Sequence, residues 1–325
     1  MEEKTMFINT WNQQKRSICR LGVAIIAAVM MLAGFYQSGF AADVRQKSFK
    51  SPEEAVKALI DAVKGNDAKE LLTIFGPSGK KLISSGDEAA DKEGRERFVK
   101  AYEEMNKLVN ESDKRVILHV GNENWPFPIP IVKVGENWRL DTKEGKEEIL
   151  NRRIGRNELN TIQVCLAIVD VQREYAGRDW DRDGLFEYAQ KFMSEKGTKD
   201  GLYWEEKEGE EQSPLGPLVA KAIREGYGGE KSGDKPTPYH GYYFKILKAQ
   251  SKNARGGAYD YLVKDKMIGG FALVAYPAEY RNSGVKTFIL NHDGVVYQKD
   301  LGKNTGKIAT AMKKFDPDKT WKKVE

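Results

Sequence analysis

A chain of 325 residues with 53 Lys+Arg against 48 Asp+Glu carries a formal charge of +5, and 40% of it is hydrophobic and 31% charged. That balance excludes an intrinsically disordered chain, and so small a surplus gives no basic footprint for nucleic acid. Two cysteines exclude a disulfide scaffold, three scattered histidines argue against a multi-histidine metal centre, and at roughly 150 residues per domain two domains are expected.

Lys15, Arg16 and Arg20 precede an apolar run, Leu21 to Phe35, and Gly39-Phe40-Ala41 places small residues around a cut after Ala41. Residues 1–41 therefore read as a secretory signal peptide, which predicts a periplasmic or secreted protein. The apolar run falls short of the about 20 residues that span a bilayer, so a membrane is a partner only if the leader stays uncleaved as an anchor. Cys19 lies ahead of the run, out of place for a lipid-modified cysteine. Removing the leader takes away four basic and two acidic residues, lowers the net charge to +3 and leaves Cys165 as the only cysteine. Cys165 lies in the apolar stretch Val164 to Val169 and reads as a small buried hydrophobe; a catalytic thiol would need an accessible, electropositive setting with a base.

Ser51-Pro52-Glu53-Glu54 is a capping box with proline at the first helical position, followed at the helical period by Val56, Leu59, Ile60 and Val63. Gly65-Asn66-Asp67 ends this helix and caps a shorter one through Leu71, Ile74 and Phe75, stopped by Gly76-Pro77. A third helix is expected to carry Phe98, Tyr102, Met105 and Val109 on one stripe. Strands follow at Arg115 to Val120 and Ile129 to Val134, then a turn at Gly135-Glu136-Asn137 into Trp138 to Asp141. Prolines 126, 128 and 130 place the start of the second strand at an edge or bulge. The run SPEEAVKALIDAVKGNDAKELLTIF, closed by VGENWRLD, resembles the nuclear-transport-factor-like cone fold over residues 50–142. That resemblance implies a pocket, and one rival reading of function is a small-molecule-binding or hydrolytic protein with its site near His119, Trp125 and Trp138. His119 could serve as a base there, or be a satisfied, partly buried histidine between apolar neighbours.

Lys143 to Glu148 reads as a charged, helix-favouring linker that Gly155 breaks or bends. From Asn157 to Ala176 the stripe Leu159, Ile162, Leu166, Val169 predicts a long core helix of a second domain, 143–325. Asp179-Trp180-Asp181-Arg182-Asp183-Gly184 then matches the opening of a calcium loop, with Asp179, Asp181 and Asp183 at ligand positions and Glu187 as a fourth candidate. Gln190 stands where such a loop needs its bidentate glutamate; the alternative is a solvated acidic turn capping a helix from Leu185 to Phe192. Calcium is the one cofactor the sequence suggests.

The strings GLYW at Gly201, SPLGPL at Ser213, PYHGYYFKIL at Pro238, GGFALVAYP at Gly269 and NHDGVVY at Asn291 resemble the bacterial secreted family catalogued as domain of unknown function 2950, over nearly the whole mature chain. The family name implies no activity. A long helix followed by GYYF, ALVAYP and TFILNHDGVVY segments also resembles the headgroup of type IV pilins and pseudopilins, which implies an antiparallel sheet packed on that helix. Asp293-Gly294 supplies two-residue turn chemistry for the last hairpin. Ile308, Met312 and Phe315 predict a closing helix capped by Thr305.

Signatures H-E-x-x-H, G-x-S-x-G and paired C-x-x-C are absent from the sequence. His240 could meet Asp260 or Glu279, but no spacing rule joins them. The expectation is an α+β protein of two layered units and a non-catalytic binding or cell-envelope structural role, with an envelope protein or surface component as partner and no nucleic acid.

Overall fold

The computed structural model describes residues 46–205, 211–225, 227 and 237–324; the expected signal peptide at 1–41 lies outside these residues. The protein is α+β. Helix α1 (Pro52–Lys64) begins as its capping box dictates, with the Ser51 side chain accepting from the Glu54 N–H at 3.2 Å. Val56, Leu59, Ile60 and Val63 are all buried. Asp67 caps α2 (Ala68–Phe75) by accepting from Glu70 N–H at 2.9 Å, and Gly76, at φ 68°, ends it. A 3-10 turn and the single turn α3 (Lys80–Ile83) lead to α4 (Glu88–Glu104), capped by Asp87.

Helix α4 is shorter than its apolar stripe suggests. Met105 ends it, and Val109 belongs instead to β1 (Asn106–Ser112), which pairs antiparallel with β2 (Arg115–Val120). The order of the first sheet is β1-β2-β4-β5, with β4 at Ile131–Val134 and β5 at Asn137–Leu140. The short β3 (Trp125–Pro126) pairs with the end of β2, where its proline leaves no ladder donor unmet. The apolar faces of α1, α2 and this sheet close a core around Leu59, Ile74, Leu118, Ile129 and Leu140.

One helix, α5 (Thr142–Ala176), runs 35 residues without interruption at Gly155. Its first turns are no linker: Thr142, Gly145 and Leu150 are buried. Along the second half the buried face carries Asn157, Thr161, Cys165, Ile168, Val169, Gln172 and Tyr175, while Leu159 is 66% exposed. The expected stripe is therefore rotated. Two of the polar residues at core positions have partners: Asn157 donates to the carbonyl of Ser283 at 2.9 Å, and Gln172 exchanges two bonds with Ala189, whereas the Thr161 hydroxyl has none among the described residues.

The second sheet has the order β12-β11-β10-β9-β6, from Lys322–Lys323, Tyr297–Asp300, Lys286–Asn291, Ala272–Pro277 and Tyr242–Leu247, all antiparallel. Ala272 to Ala275 and Phe288 to Leu290 are buried against α5 and the segments beside it. A two-stranded ribbon of β7 (Ala249–Gln250) and β8 (Tyr259–Asp260) lies beside it in sequence. The hairpin through Asp293-Gly294 forms with a wider loop than a two-residue turn, since Ile289 already faces Tyr297. Residues 185–192 form no helix. Their backbone bonds go elsewhere: Tyr188 N–H donates to Met267 and Ala189 N–H to Gln172. Helix α6 (Gly216–Arg224) precedes β6, and α7 (Thr305–Ala311) includes the expected cap Thr305 as its first residue, with Asn304 at the N-cap position making no side-chain capping bond and Phe315 buried beyond its end. Among the described residues, no helix is long and apolar enough to cross a membrane.

Candidate functional site

Between α1, α4, the start of α5 and the first sheet lies a cavity of about 530 Å³, within the range of pockets that hold small molecules. Its interior is apolar. Leu59, Val63, Leu71 and Phe75 come from α1 and α2, Phe98 and Ala101 from α4, and Val120, Trp125 and Phe127 from the sheet side. Phe98 and Phe127 meet at 5.2 Å between centroids, and Trp125 sets its ring edge to Phe127. Five arginines join this lining: Arg95 and Arg97 from α4, and Arg152, Arg153 and Arg156 from α5, against two carboxylates, Asp91 and Glu93.

The five are not alike. Arg153, half-buried, donates to the carbonyls of Lys81 and Leu82 and to Asn282 Oδ1, at 2.6 to 2.8 Å, so it is a structural tie. Arg97 pairs with Glu93 and Arg152 with Glu148, and the Arg152 guanidinium also lies 5.0 Å from the Trp125 ring. Among the described residues, Arg95 donates once, to the Ile83 carbonyl, and its buried Nε has no partner. Arg156 makes no hydrogen bond or ion pair among the described residues. Burial lowers the affinity of Arg156 for its proton, and the neighbouring charge of Arg97 lowers it further.

His119 does not line this cavity. It sits on β2, half-buried, its Nδ1 donating to the Asn124 carbonyl at 3.1 Å, the arrangement of a satisfied histidine. Trp125 lines the cavity, whereas Trp138 packs on the same core and bridges to Phe49. His240 does reach the cavity. Its acidic neighbour is Glu225, with Nε2 and Oε2 3.6 Å apart, rather than Asp260 or Glu279. Burial holds the imidazole below its usual range, although Glu225 and Asp87 oppose the shift. Asp87 ties this corner down. Its carboxylate accepts from Ala90 N–H at 3.0 Å, from Gly241 N–H at 2.6 Å and from the Tyr227 hydroxyl at 3.0 Å. Gly241 is required there: its φ is +77°, and a Cβ would stand 2.7 Å from Asn157 Nδ2.

Asp179, Asp181 and Asp183 do converge, each offering an oxygen within 4.8 Å of the others. A resident cation already touches two of them. Lys266 Nζ pairs with Asp181, with Asp183 at 2.6 Å and with Glu187 at 3.2 Å, and the bonds to Asp181 and Asp183 hold its ammonium above the usual lysine range. Asp179 is spent differently, accepting from the N–H groups of Asp183 and Gly184. Gln190 turns away to the Asp265 carbonyl and Lys248. Cys165 is fully buried and desolvation pushes its thiol up to about 12, so it is a core residue and no nucleophile.

The arginine rim escaped the sequence reading. Its one signal was Arg152, Arg153 and Arg156, of which the first and last share a helical face. These residues fall between the stretch read as a linker, Lys143 to Glu148, and the helix read from Asn157, so neither reading covered them.

Fold and site together define an α+β protein with a ligand-sized cavity and no assembled catalytic group among the described residues. Residues 46–324 match the model of a family described as "Protein of unknown function (DUF2950)", and the chain belongs to that family. No curated protein and no solved structure matches the chain.

Proposed function

We propose that this is an exported, non-catalytic binding protein that holds a small molecule with an apolar body in the cavity of its N-terminal half. The observation that carries the reading is the cavity itself: about 530 Å³ walled by Leu59, Phe98, Phe127 and their neighbours, opening past polar groups on α4 and α5. An apolar hollow of that size forfeits the contacts its lining would otherwise make, a cost a ligand offsets. A hydrolytic role finds less support. No serine, cysteine or carboxylate of the lining is hydrogen-bonded to a histidine among the described residues, and His119, the base a hydrolase reading needs, is bonded to a backbone carbonyl outside the cavity. Export rests on the leader.

The test uses the neutral apolar dye N-phenyl-1-naphthylamine on the mature protein. Dye fluorescence should rise on binding with one site per chain, and Ala101→Trp, which fills the cavity, should weaken binding at least 10-fold while the far-UV circular dichroism stays native. A native protein that leaves the dye dark, or an Ala101→Trp protein that binds it unchanged, defeats the reading. Intact mass of the envelope fraction tests export separately: the expected N-terminus is near Ala42, and a chain retaining Leu21 to Phe35 would be anchored instead.

A further inference from the structure

The cavity is amphipathic, and positive charge predominates on its rim. Five arginines face two carboxylates, one of which, Glu93, is already paired with Arg97. The other, Asp91, uses Oδ2 to accept from the Ser85 N–H at 2.8 Å. Of the arginines, Arg153 is consumed by backbone carbonyls and Asn282; among the described residues, Arg156 has no hydrogen-bond acceptor or ion-pair partner and the buried Arg95 Nε has no acceptor. Arg152 is held by Glu148 and by the Trp125 face, so its guanidinium is positioned at the boundary between rim and apolar interior. Unpartnered guanidinium groups beside a hollow have no reason to be gathered for stability alone. Their mutual repulsion opposes folding, and the buried Arg95 Nε, without an acceptor among the described residues, opposes it further.

Resting on the binding reading above, we propose that the ligand is a single-chain amphiphile with an anionic head, its tail among Leu59, Phe98, Trp125 and Phe127 and its carboxylate or equivalent oxyanion held at Arg156 with Arg152 beside it. The chemistry follows from the donors. A guanidinium presents its N–H groups in a planar fork that matches a carboxylate or phosphate, and charge-assisted bonds of this kind are roughly twice as strong as neutral ones. The apolar walls exclude the head group and accept the tail, which fixes the ligand's direction in the cavity. A neutral amphiphile of the same length would fill the hollow and leave Arg156 unpaired.

Displacement of N-phenyl-1-naphthylamine from the mature protein by dodecanoate and by dodecanol tests this at pH 8 and low salt. Dodecanoate should displace the dye at a concentration about 10-fold lower than dodecanol, a difference of about 1.4 kcal/mol. Added salt should shrink that preference, because the head group remains near solvent. Arg156→Gln should bring the two competitors within about 3-fold of each other with dodecanol unchanged. Arg156 has no hydrogen bond or ion pair to lose among the described residues, so this variant is expected to fold, and Arg152→Gln provides a second reading of the same preference. Equal displacement by acid and alcohol, or a full preference for the acid in Arg156→Gln, overturns the anionic-head assignment while dye binding leaves the cavity reading standing. Displacement by dodecyl phosphate but not dodecanoate identifies phosphate as the oxyanion and supports the same rim chemistry. Failure of the dye itself to bind defeats the underlying reading instead.

Discussion

At the residue scale, Asp87 and Lys266 each gather several partners onto one charge. Asp87 is 1% exposed and both caps α4 and receives the Gly241 N–H and Tyr227 hydroxyl from across the fold. Asp87→Ala removes a helix cap worth about 1 kcal/mol and orphans a buried N–H, so a loss of about 2–4 kcal/mol is expected in urea denaturation. Burial is the largest influence on its acidity and pushes the carboxyl up, with the bonds from Ala90, Gly241 and Tyr227 pulling back. The folded protein therefore holds this proton to higher pH than the unfolded chain does, and the stability Asp87 supplies falls as pH rises through that window. The deficit of Asp87→Ala should accordingly be larger near roughly pH 4 than at pH 7. For Lys266, a methionine substitution releases Asp181, Asp183 and Glu187 from their shared ammonium. Lys266→Met should melt lower at neutral pH, and calcium at millimolar levels should raise its melting temperature by more than it raises that of the native protein. A melting temperature indifferent to calcium in both proteins would remove calcium from the account of this loop. The three aspartates were legible because they lie within five consecutive residues; Lys266 was not, because only the fold brings residues 181 and 266 together.

Helix α5 shows at the element scale what periodicity can and cannot say. The sequence marks Gly155 as a break, yet the helix passes through it, since one glycine costs a helix only about 1 kcal/mol and packing at both ends outweighs that. Nothing lies within 4 Å of a Cβ built at Gly155, so Gly155→Ala should stabilise the protein by about 0.5–1 kcal/mol in chemical denaturation. Gly145, ten residues earlier in the same helix, should respond with the opposite sign. A Cβ there would stand 2.1 Å from the Pro128 carbonyl oxygen, so Gly145→Ala must push α5 off the Pro128-Ile129 backbone, at a cost of about 2 kcal/mol or more. If both variants shift the same way, the packing of α5 described above is wrong. The strands from Tyr242, Ala272 and Lys286 were expected through the pilin-headgroup resemblance of GYYF, ALVAYP and TFILNHDGVVY, and α1 was legible from its capping box, because that signal is local. The face of α5 was not, because the helix serves two cores in succession and buries Asn157, Thr161 and Gln172 where a stripe search looks for Leu. The expected helix at 185–192 failed for a related reason: its backbone donors are claimed by Gln172 and Met267, partners far away in sequence.

For the whole molecule, the question is whether the two cores unfold as one. One centres on Leu59, Ile74 and Leu118, the other on Tyr242, Phe271 and Phe288, and α5 packs Ile149 against the first and contributes Cys165, Ile168, Val169, Val171 and Tyr175 to the second. A shared helix alone is a weak coupling, since it can fray at any turn. Polar ties across the junction add to it. Arg153 binds α3 carbonyls and Asn282 together, Asn282 donates in turn to the Ser84 carbonyl, Asp87 receives Gly241, and Glu158 accepts from the N–H groups of Val285 and Lys286. All of these but the Arg153 bond to the Lys81 carbonyl are at least partly shielded from water, and those to charged groups contribute about 1.5–3 kcal/mol each. A single cooperative transition is therefore expected, although chains of this length often show two. Tryptophans report on it conveniently, because Trp125 and Trp138 pack on the first core and Trp180 and Trp204 on the second. A variant whose described tryptophans remain only at 125 and 138 should melt together with one whose tryptophans remain only at 180 and 204. Introducing Arg153→Ala into both should separate the curves. That substitution strands three acceptors and should cost about 3 kcal/mol, or roughly 5–10 °C, with the first core melting first because it has lost its hold on α3. Two transitions already separated in the native protein would show that these ties do not couple the cores, and an Arg153→Ala pair that still melts in step would assign the coupling to α5 instead.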